Sequence, residues 1–267
     1  MTKSKISDGA FALITGASSG IGEATAMKLA ERGYNLILTA RRVDRLEVLS
    51  KKCRELGSPN VIVQHMDVRQ LPSVEAAFNE PKVMAALESL LILVNNAGLA
   101  KGFDKLDEGK ISDWQTMMDT NVMGLLYVTR LAIPYIKKTM GHIVNVGSVS
   151  GVWTYPGGGV YCASKAAVRA ISEGLRMDLI GSHVRVTNIE PGAAHTEFAL
   201  TRLGGNVELS KNFYKDYLPL KAEDIADCID WSISRPSHVN IQEMIIFPTD
   251  QASIYQFNRD NPRPANP

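Results

Sequence analysis

The stretch Thr15-Gly16-Ala17-Ser18-Ser19-Gly20-Ile21-Gly22 decides the fold, because it places three glycines in one turn between two regular segments. The apolar run 11–15 before it predicts a strand, and the helical spacing of 21–32 after it predicts a helix. Glycine permits positive φ and lets the backbone approach a phosphate closely, while the first turn of a helix presents free N–H groups to an anion. We therefore interpret the stretch as a phosphate-binding turn for a dinucleotide rather than as a tight turn without a ligand. The expected contacts are Gly16, Ser18, Ser19, Gly20, Ile21 and Gly22.

Short apolar runs alternate with longer amphipathic segments along the rest of the chain. The predicted strands cover residues 11–15, 36–39, 61–63, 90–94, 142–146, 184–189 and 244–247. These runs are apolar and largely β-branched, which is typical of strands covered on both faces of a parallel sheet. Because the intervening segments are long enough for crossover helices, we predict an α/β fold: a doubly wound, seven-stranded parallel sheet with helices on both faces.

The chain shows no internal repeat and no linker-like change of composition, so we predict one catalytic domain over residues 1–256. Residues 192–219 form a long connection that reads as irregular, and we expect it to be the substrate loop. Residues 257–267 are polar and rich in Pro and Asn, and we expect a loosely held tail.

Composition and charge exclude several classes of protein. A formal net charge of +1 leaves no basic excess for nucleic acid, and no apolar stretch is long enough for a membrane helix. The polar start of the chain lacks the apolar region of a secretory signal, which favours a cytoplasmic location. Cys53, Cys162 and Cys228 are too far apart for a zinc motif or a disulfide framework, and the five histidines show no ligand spacing. We therefore expect no metal, no membrane partner and no nucleic acid.

The residues after the second strand predict which dinucleotide is bound. NAD-binding folds usually place an acidic residue there for the ribose hydroxyls, but this chain reads Thr39-Ala40-Arg41-Arg42. A guanidinium pairs well with a 2′-phosphate and stays charged. We therefore predict NADP, held by Arg41 and Arg42; the alternative is that both arginines form a solvated helix start.

The pair Tyr161 and Lys165 is the candidate catalytic centre. Their i, i+4 spacing at the start of a predicted helix places both side chains on one face. A lysine cation lowers the pKa of a neighbouring tyrosine and prepares it to act as a base near neutral pH. Ser148 follows the fifth strand, where its hydroxyl can bond the substrate oxygen, and Ser150 is a weaker candidate. Alone, this spacing is more often a helix surface pair; the glycine turn in the same chain favours catalysis.

Taken together, these motifs resemble the short-chain dehydrogenase/reductase family over nearly the whole chain. The matching pieces are Thr15–Gly22, Met66-Asp67-Val68, Asn95-Asn96-Ala97-Gly98, Asn121, Ser148, Tyr161 with Lys165, and Pro191-Gly192 with Thr196. The resemblance implies a Rossmann fold with strand order 3-2-1-4-5-6-7, an oxidoreductase that uses NADP, and a homotetramer. One departure is visible: the Asp that often precedes the fourth strand in the family is absent here, which affects no catalytic role.

The resemblance also implies roles for single residues. Asp67 and Val68 line the adenine site, while Asn95, Ala97 and Gly98 flank the cofactor. Asn121 holds a water that links Lys165 to solvent, and Lys165 also bonds the nicotinamide ribose. The remaining implied contacts, at the nicotinamide, are Ile189, Pro191, Gly192 and Thr196.

A narrower resemblance points to a branch of the family that oxidises small 3-hydroxy acids of the serine, allo-threonine and 3-hydroxypropionate type. It rests on residues 113–114, 118–121, 186–192, 196–198, 238–241 and 248–251. Such a substrate needs a cation for its carboxylate, and Arg202 beside two glycines is our hypothesis for a clamp on a mobile lid. An exposed loop arginine is the alternative. Trp153 and Tyr155 are expected to wall the pocket, unless they belong to the core.

Two rival functions remain open from the sequence. A broad NADPH-dependent carbonyl reductase of ketones or aldehydes would use the same catalytic residues. A non-catalytic NADPH-binding regulator usually loses the tyrosine or the lysine, and this chain keeps both. The sequence leaves open the physiological substrate, the direction and stereospecificity of the reaction, and the assembly state.

Overall fold

The computed structural model describes residues 9–263, in which strands and helices alternate as predicted. The strands are β1 (Phe11–Thr15), β2 (Asn35–Ala40), β3 (Val61–His65), β4 (Leu90–Asn95), β5 (His142–Val146), β6 (Arg185–Pro191), β7 (Ala194–His195), β8 (Leu220–Lys221) and β9 (Glu243–Ile246). The α-helices are α1 (Gly20–Glu31), α2 (Val43–Glu55), α3 (Leu71–Asn79), α4 (Pro81–Leu87), α5 (Ile111–Met118), α6 (Gly124–Thr139), α7 (Gly159–Asp178), α8 (Phe198–Arg202), α9 (Val207–Phe213) and α10 (Ala222–Ile233).

Seven of the strands form one parallel sheet in the order β3-β2-β1-β4-β5-β6-β9. The predicted α/β class and strand order are therefore confirmed, with β9 as the seventh strand. Side chains of one strand alternate between the two faces. Leu13 of β1 packs in the core on the side of α6, whereas Ile14 packs in the core on the side of α1 and α10. Both faces of β1 are thus dry, which explains its unbroken apolar sequence.

The order of the strands creates the ligand site. The chain moves outward from β1 through β2 to β3, and then returns to place β4 on the other side of β1. At this point the loops that leave β1 and β4 diverge and open a crevice at the carboxyl ends of the strands. A doubly wound sheet binds its ligand there, so the position of the site follows from the topology.

The connection 192–219 is more ordered than its sequence indicates. Its two ends are tied together because β7 pairs with β8 in a short parallel ladder, and α8 and α9 lie between them. The expectation of an irregular segment is wrong, because each element is only two to seven residues long and has no periodicity to read.

The segment 257–263 is also held in place. The Phe257 ring lies 4.9 Å from the Tyr217 ring, and Asp250 accepts a hydrogen bond of 3.0 Å from the backbone N of Arg263. Residues 257–263 therefore pack against the domain and do not form the expected loose tail. Residues 264–267 of the tail and residues 1–8 of the predicted domain lie outside the described part of the chain. Within residues 9–263, no helix has the length and apolar character needed to cross a membrane.

Candidate active site

A cavity of about 700 Å³ lies at the carboxyl ends of the sheet strands. Four parts of the chain form most of its walls: the glycine turn, the ends of β2, β3, β4 and β5, the start of α7, and the segments 191–217 and 251–259. The first two walls belong to the phosphate and adenine ends predicted from the sequence. The third contributes Tyr161 and Lys165, and the fourth brings substrate-loop and carboxyl-terminal residues to the same space.

The glycine turn has the shape of a phosphate cradle. Gly16 and Gly20 have φ values of +64° and +59°, and a Cβ on Gly16 would lie 2.9 Å from the Cα of Ala97. A side chain at either position would strain the backbone and fill the space beside the start of α1. Because the turn lines the cavity and ends at a helix N-terminus, it fits a dinucleotide pyrophosphate.

Gly22 has a packing role instead. A Cβ on Gly22 would lie 2.5 Å from the Nδ2 of Asn96 and 2.6 Å from the carbonyl oxygen of Gly16, and Gly22 does not line the cavity. Gly22 therefore permits α1 to pack closely on the turn, and a direct contact between Gly22 and the ligand stays a prediction. The other five predicted residues of the turn line the cavity.

The loop after β4 is held to β1 by Asn96 rather than by Asn95. The Nδ2 of Asn96 donates to the carbonyl oxygen of Thr15 over 2.9 Å, and the hydroxyl of Thr15 accepts from the backbone N of Ala97 over 3.0 Å. Asn95 is buried away from the cavity and donates to Thr129 and Asn145. Its side chain therefore points away from the cavity, and a contact between Asn95 and the cofactor stays a prediction. Ala97 and Gly98 line the cavity.

The adenine end contains the residues that the family resemblance implies. Asp67 and Val68 line the cavity beside Arg41 and Arg42. Arg69 donates to both oxygens of Asp67, and this pairing holds the pKa of the Asp67 carboxyl below its usual range. No carboxylate ends β2, so the arginines at this position fit a 2′-phosphate better than a free ribose diol.

Tyr161 and Lys165 are both buried at the start of α7 and line the cavity together with Ser148. The Nζ of Lys165 donates to the carbonyl oxygen of Val146 over 2.8 Å, and the hydroxyl of Ser148 accepts from the backbone N of Ser150 over 3.1 Å. The predicted constellation is thus assembled at one point, with the serine fixed by its own turn.

Burial dominates the electrostatics of this pair in the chain alone. Burial raises the pKa of Tyr161 above its usual value, although the hydroxyl of Ser148 opposes the shift. Burial also lowers the pKa of Lys165 to about 8, against the attraction of Glu190. In the chain alone, desolvation is the largest influence on the pKa of Tyr161, and its lowering by Lys165 stays a prediction for the site with cofactor and substrate bound.

Asn121 lies behind the catalytic residues, in a π-helical turn, Asp119–Met123, between α5 and α6. Its side-chain oxygen accepts from the backbone N of Leu99 over 2.8 Å, and its nitrogen donates to Ser164 over 2.9 Å. Turns of this kind are frequent at functional sites. Asn121 itself does not line the cavity, so its part in a proton relay stays a prediction.

Arg202 is a buried cation in the substrate part of the cavity. Only 5% of the residue is exposed, its Nε donates to the carbonyl oxygen of Gly102, and its guanidinium lies 3.6 Å from the ring centroid of Phe103. The rings of Tyr155 and Tyr161 are 5.2 and 5.5 Å away. Among the described residues no carboxylate forms an ion pair with it. The alternative of an exposed loop arginine is therefore excluded.

The two aromatic residues predicted to wall the pocket have different positions. Tyr155 lines the cavity, with its ring against Gly158, where a Cβ would collide with it. Trp153 is 44% exposed, does not line the cavity and lies 6.0 Å from the Phe247 ring. Trp153 therefore lies outside the cavity wall in the chain alone, where its backbone N bonds the carbonyl oxygen of Val149 in the preceding turn; a contact with substrate stays a prediction.

Several cavity residues were not predicted to be site residues from the sequence. Aromatic and polar side chains from the substrate loop and the carboxyl-terminal segment form the outer wall: Phe198, Phe213, Tyr214, Tyr217, Gln251, Phe257 and Arg259. They come from segments without regular periodicity, so only the fold brings them together. Pro191, Gly192 and Thr196 line the cavity as the resemblance implies, whereas Ile189 is buried in the core.

A phosphate cradle and a buried proton donor that open on one cavity define an oxidoreductase of the dinucleotide-binding α/β class. The family model described as short chain dehydrogenase matches residues 10–203, and the chain belongs to that family. The resemblance, the fold class and the enzyme class predicted from the sequence are thereby confirmed.

Curated and solved relatives agree with this assignment. The chain is 43% identical over 251 residues to sulfoacetaldehyde reductase 2 of Chromohalobacter salexigens, covering 93% of this chain and 98% of that one. It is 42% identical over 246 residues to the NADP-dependent 3-hydroxy acid dehydrogenase YdfG of Salmonella typhi, covering 90% and 95%. The closed form of serine dehydrogenase complexed with NADP+ superposes with a TM-score of 0.86 at 38% identity, covering 93% of this chain and 98% of that chain.

Proposed function

We propose that this chain transfers a hydride between NADP(H) and a small 3-hydroxy acid or the corresponding carbonyl acid. The observation that carries the proposal is Arg202, a buried guanidinium without a carboxylate partner among the described residues, 5.5 Å from the ring of Tyr161. A buried charge is costly unless it is paired, so this cation calls for an anionic ligand. A substrate carboxylate on Arg202 places its hydroxyl carbon toward Tyr161.

NADP, when bound in the cradle of residues 16–22, supplies or accepts the hydride. Tyr161 takes the proton of the substrate hydroxyl in oxidation and returns it in reduction, while Ser148 bonds the same oxygen. Lys165 stabilises the phenolate, and Asn121 connects the lysine to solvent. Burial keeps Tyr161 protonated in the chain alone. The positive charge of bound NADP+ would add to that of Lys165 and would favour the phenolate.

A second candidate function is the reduction of a small sulfonated aldehyde. The relative of Chromohalobacter salexigens carries that activity in its name, and a guanidinium fork binds sulfonate oxygens as it binds a carboxylate. Broad reduction of neutral carbonyls fits the site less well, since it leaves Arg202 without an anion.

We propose one catalytic domain over residues 1–256 in a cytoplasmic homotetramer. Exposed apolar side chains on α10 and on the edge strand β9, Trp231 and Ile245, support an interface there, with 45% and 40% of each residue exposed.

A panel of substrates with NADP(H) and NAD(H), monitored at the nicotinamide absorbance, tests the proposal. It contains L-serine, 3-hydroxypropionate, sulfoacetaldehyde and neutral ketones of similar size. We expect kcat/KM for one of the acids to exceed that for its neutral analogue by about 100-fold, the worth of a charge-assisted bidentate contact. Better turnover of every neutral compound would contradict the acid requirement.

The arginines after β2 give a separate prediction on the cofactor. Replacing Arg41 and Arg42 by Gln removes charge-assisted bonds to the 2′-phosphate, which should raise KM for NADPH by about 10- to 100-fold. KM for NADH should change by less than about threefold, because NADH lacks that phosphate. Steady-state kinetics with NADPH and NADH measure both KM values. An equal rise in the two KM values would show that the arginines only shape the start of α2.

A further inference from the structure

Glu197 forms an ion pair with Arg42, one of the two arginines expected to bind the 2′-phosphate. It is the residue immediately before α8, in the substrate loop. One of its carboxylate oxygens accepts from Arg42 Nη1 over 2.9 Å, and the other accepts from Arg45 Nη1 over 2.6 Å. The pairing is long-range, because Arg42 and Glu197 are 155 residues apart in the chain.

Arg42 also contacts the glycine turn. Its Nη2 donates to the hydroxyls of Ser18 and Ser19 over 3.1 and 2.8 Å. Hydrogen bonds from the two arginines outweigh the effect of burial and hold the pKa of Glu197 below its usual range, so the carboxylate is charged at neutral pH. The substrate loop therefore holds the Glu197 carboxylate against Arg42, the guanidinium that the 2′-phosphate of the cofactor would bind.

The pairing is of a kind that a phosphate can displace. The side chains of Arg42 and Glu197 are 41% and 39% exposed, and ion pairs in such surroundings contribute little to stability. A phosphate monoester brings nearly two negative charges and three acceptor oxygens to the same guanidinium. Replacement of Glu197 by the 2′-phosphate on Arg42 is therefore favourable for NADP(H). NAD(H) has no 2′-phosphate and cannot displace Glu197 in this way.

Glu197 is joined directly to substrate-binding residues. Phe198, the next residue, has its ring 5.5 Å from the ring of Tyr161, and Arg202 ends the same five-residue helix. On the other side, a Cβ on Gly20 would lie 3.2 Å from the Cβ of Thr196, so the loop begins against the glycine turn. A displacement of Glu197 would therefore act directly on the start of α8.

We propose that Glu197 is a specificity-determining residue: it holds the 2′-phosphate subsite through Arg42, and its displacement by the phosphate frees α8 to bring Arg202 onto the substrate. The inference rests on the proposed use of NADP. It assigns to the cofactor phosphate a second role, which is to release the substrate loop.

Binding of NADP+ and NAD+ to Glu197→Gln provides the first test. Because the amide no longer competes for Arg42, we expect the Kd for NADP+, measured by calorimetry, to fall by about two- to fivefold, the range of an exposed ion pair. The Kd for NAD+ should stay within about 1.5-fold, since NAD+ has no 2′-phosphate to bind Arg42. Glu208→Gln is the matched control: Glu208 lies in the same loop, pairs only with Lys211 at 3.3 Å and should change neither constant.

Limited trypsin cleavage after Lys211 and Lys215 provides the second test, because both lysines are exposed on the substrate loop. In the unmodified protein, saturating NADP+ and NAD+ should give cleavage rates that differ by about threefold or more, as expected for a ligand-dependent loop equilibrium. In Glu197→Gln the difference between the two cofactors should disappear.

The outcomes separate the inference from the function on which it rests. If the unmodified protein prefers NADP+ but Glu197→Gln weakens NADP+ binding, or cleavage is equal with both cofactors, only the role of Glu197 is refuted. If the unmodified protein binds both cofactors equally, the proposed cofactor choice fails, and the inference fails with it.

Discussion

Tyr161→Phe should lower kcat by about 100- to 10,000-fold, the usual contribution of a positioned general acid–base group. The phenolic hydroxyl is the only group removed from this buried residue, which lines the cavity together with Ser148. The ring itself packs against Phe198, so the variant keeps the packing of α7 and α8. We expect the Kd for NADPH, measured by fluorescence titration, to remain within about twofold, because the phosphate cradle lies on another wall of the site.

A second tyrosine serves as the control for this variant. Tyr127 is half-buried on α6 and packs against the core away from the cavity, so Tyr127→Phe should leave kcat unchanged. A drop of less than about tenfold in Tyr161→Phe would contradict general acid–base catalysis by this residue. Loss of NADPH binding together with activity would assign Tyr161 to the cofactor site instead.

The sequence predicts those parts of the molecule that depend on local chemistry. The run 11–22 contains a strand, a glycine turn and a helix start in direct succession, and each is recognisable from its own residues. Tyr161 and Lys165 are close in the chain and share a helix face, so their proximity needs no knowledge of the fold. Strand β1 is accordingly observed at its predicted bounds, Phe11–Thr15.

Other features depend on contacts between distant segments and escape a reading of the sequence. Asn95 and Asn96 are identical residues, and only the alternation at the end of β4 decides that Asn96 faces the glycine turn. The environment of Tyr161 depends on Phe198 and Arg202, which come from another loop; burial of the phenol raises its pKa, and the charge of Arg202 opposes that shift. Glu197 resembles any surface carboxylate until the fold places it on Arg42.

Arg202→Met should lower kcat/KM for 3-hydroxy acids by about 100-fold or more, because it removes a buried charge-assisted contact to the carboxylate. Methionine replaces most of the apolar stem of Arg202, so the side chain still fills the pocket wall while the charged guanidinium that stacks on Phe103 is lost. A neutral ketone makes no use of the guanidinium, and its kcat/KM should stay within about threefold.

Arg202→Lys distinguishes the charge from the shape of the guanidinium. Lysine restores a cation but neither the planar fork nor the stacking at 3.6 Å on Phe103, so we expect it to recover about a tenth of the activity on acids. An acid and a neutral ketone measured side by side in all three proteins give the decisive ratio. If Arg202→Met reduces turnover of both by the same factor, the arginine only supports the cavity wall, and the anion clamp is refuted. If only the acid is affected, the buried cation that the substrate loop carries into the site determines the substrate class.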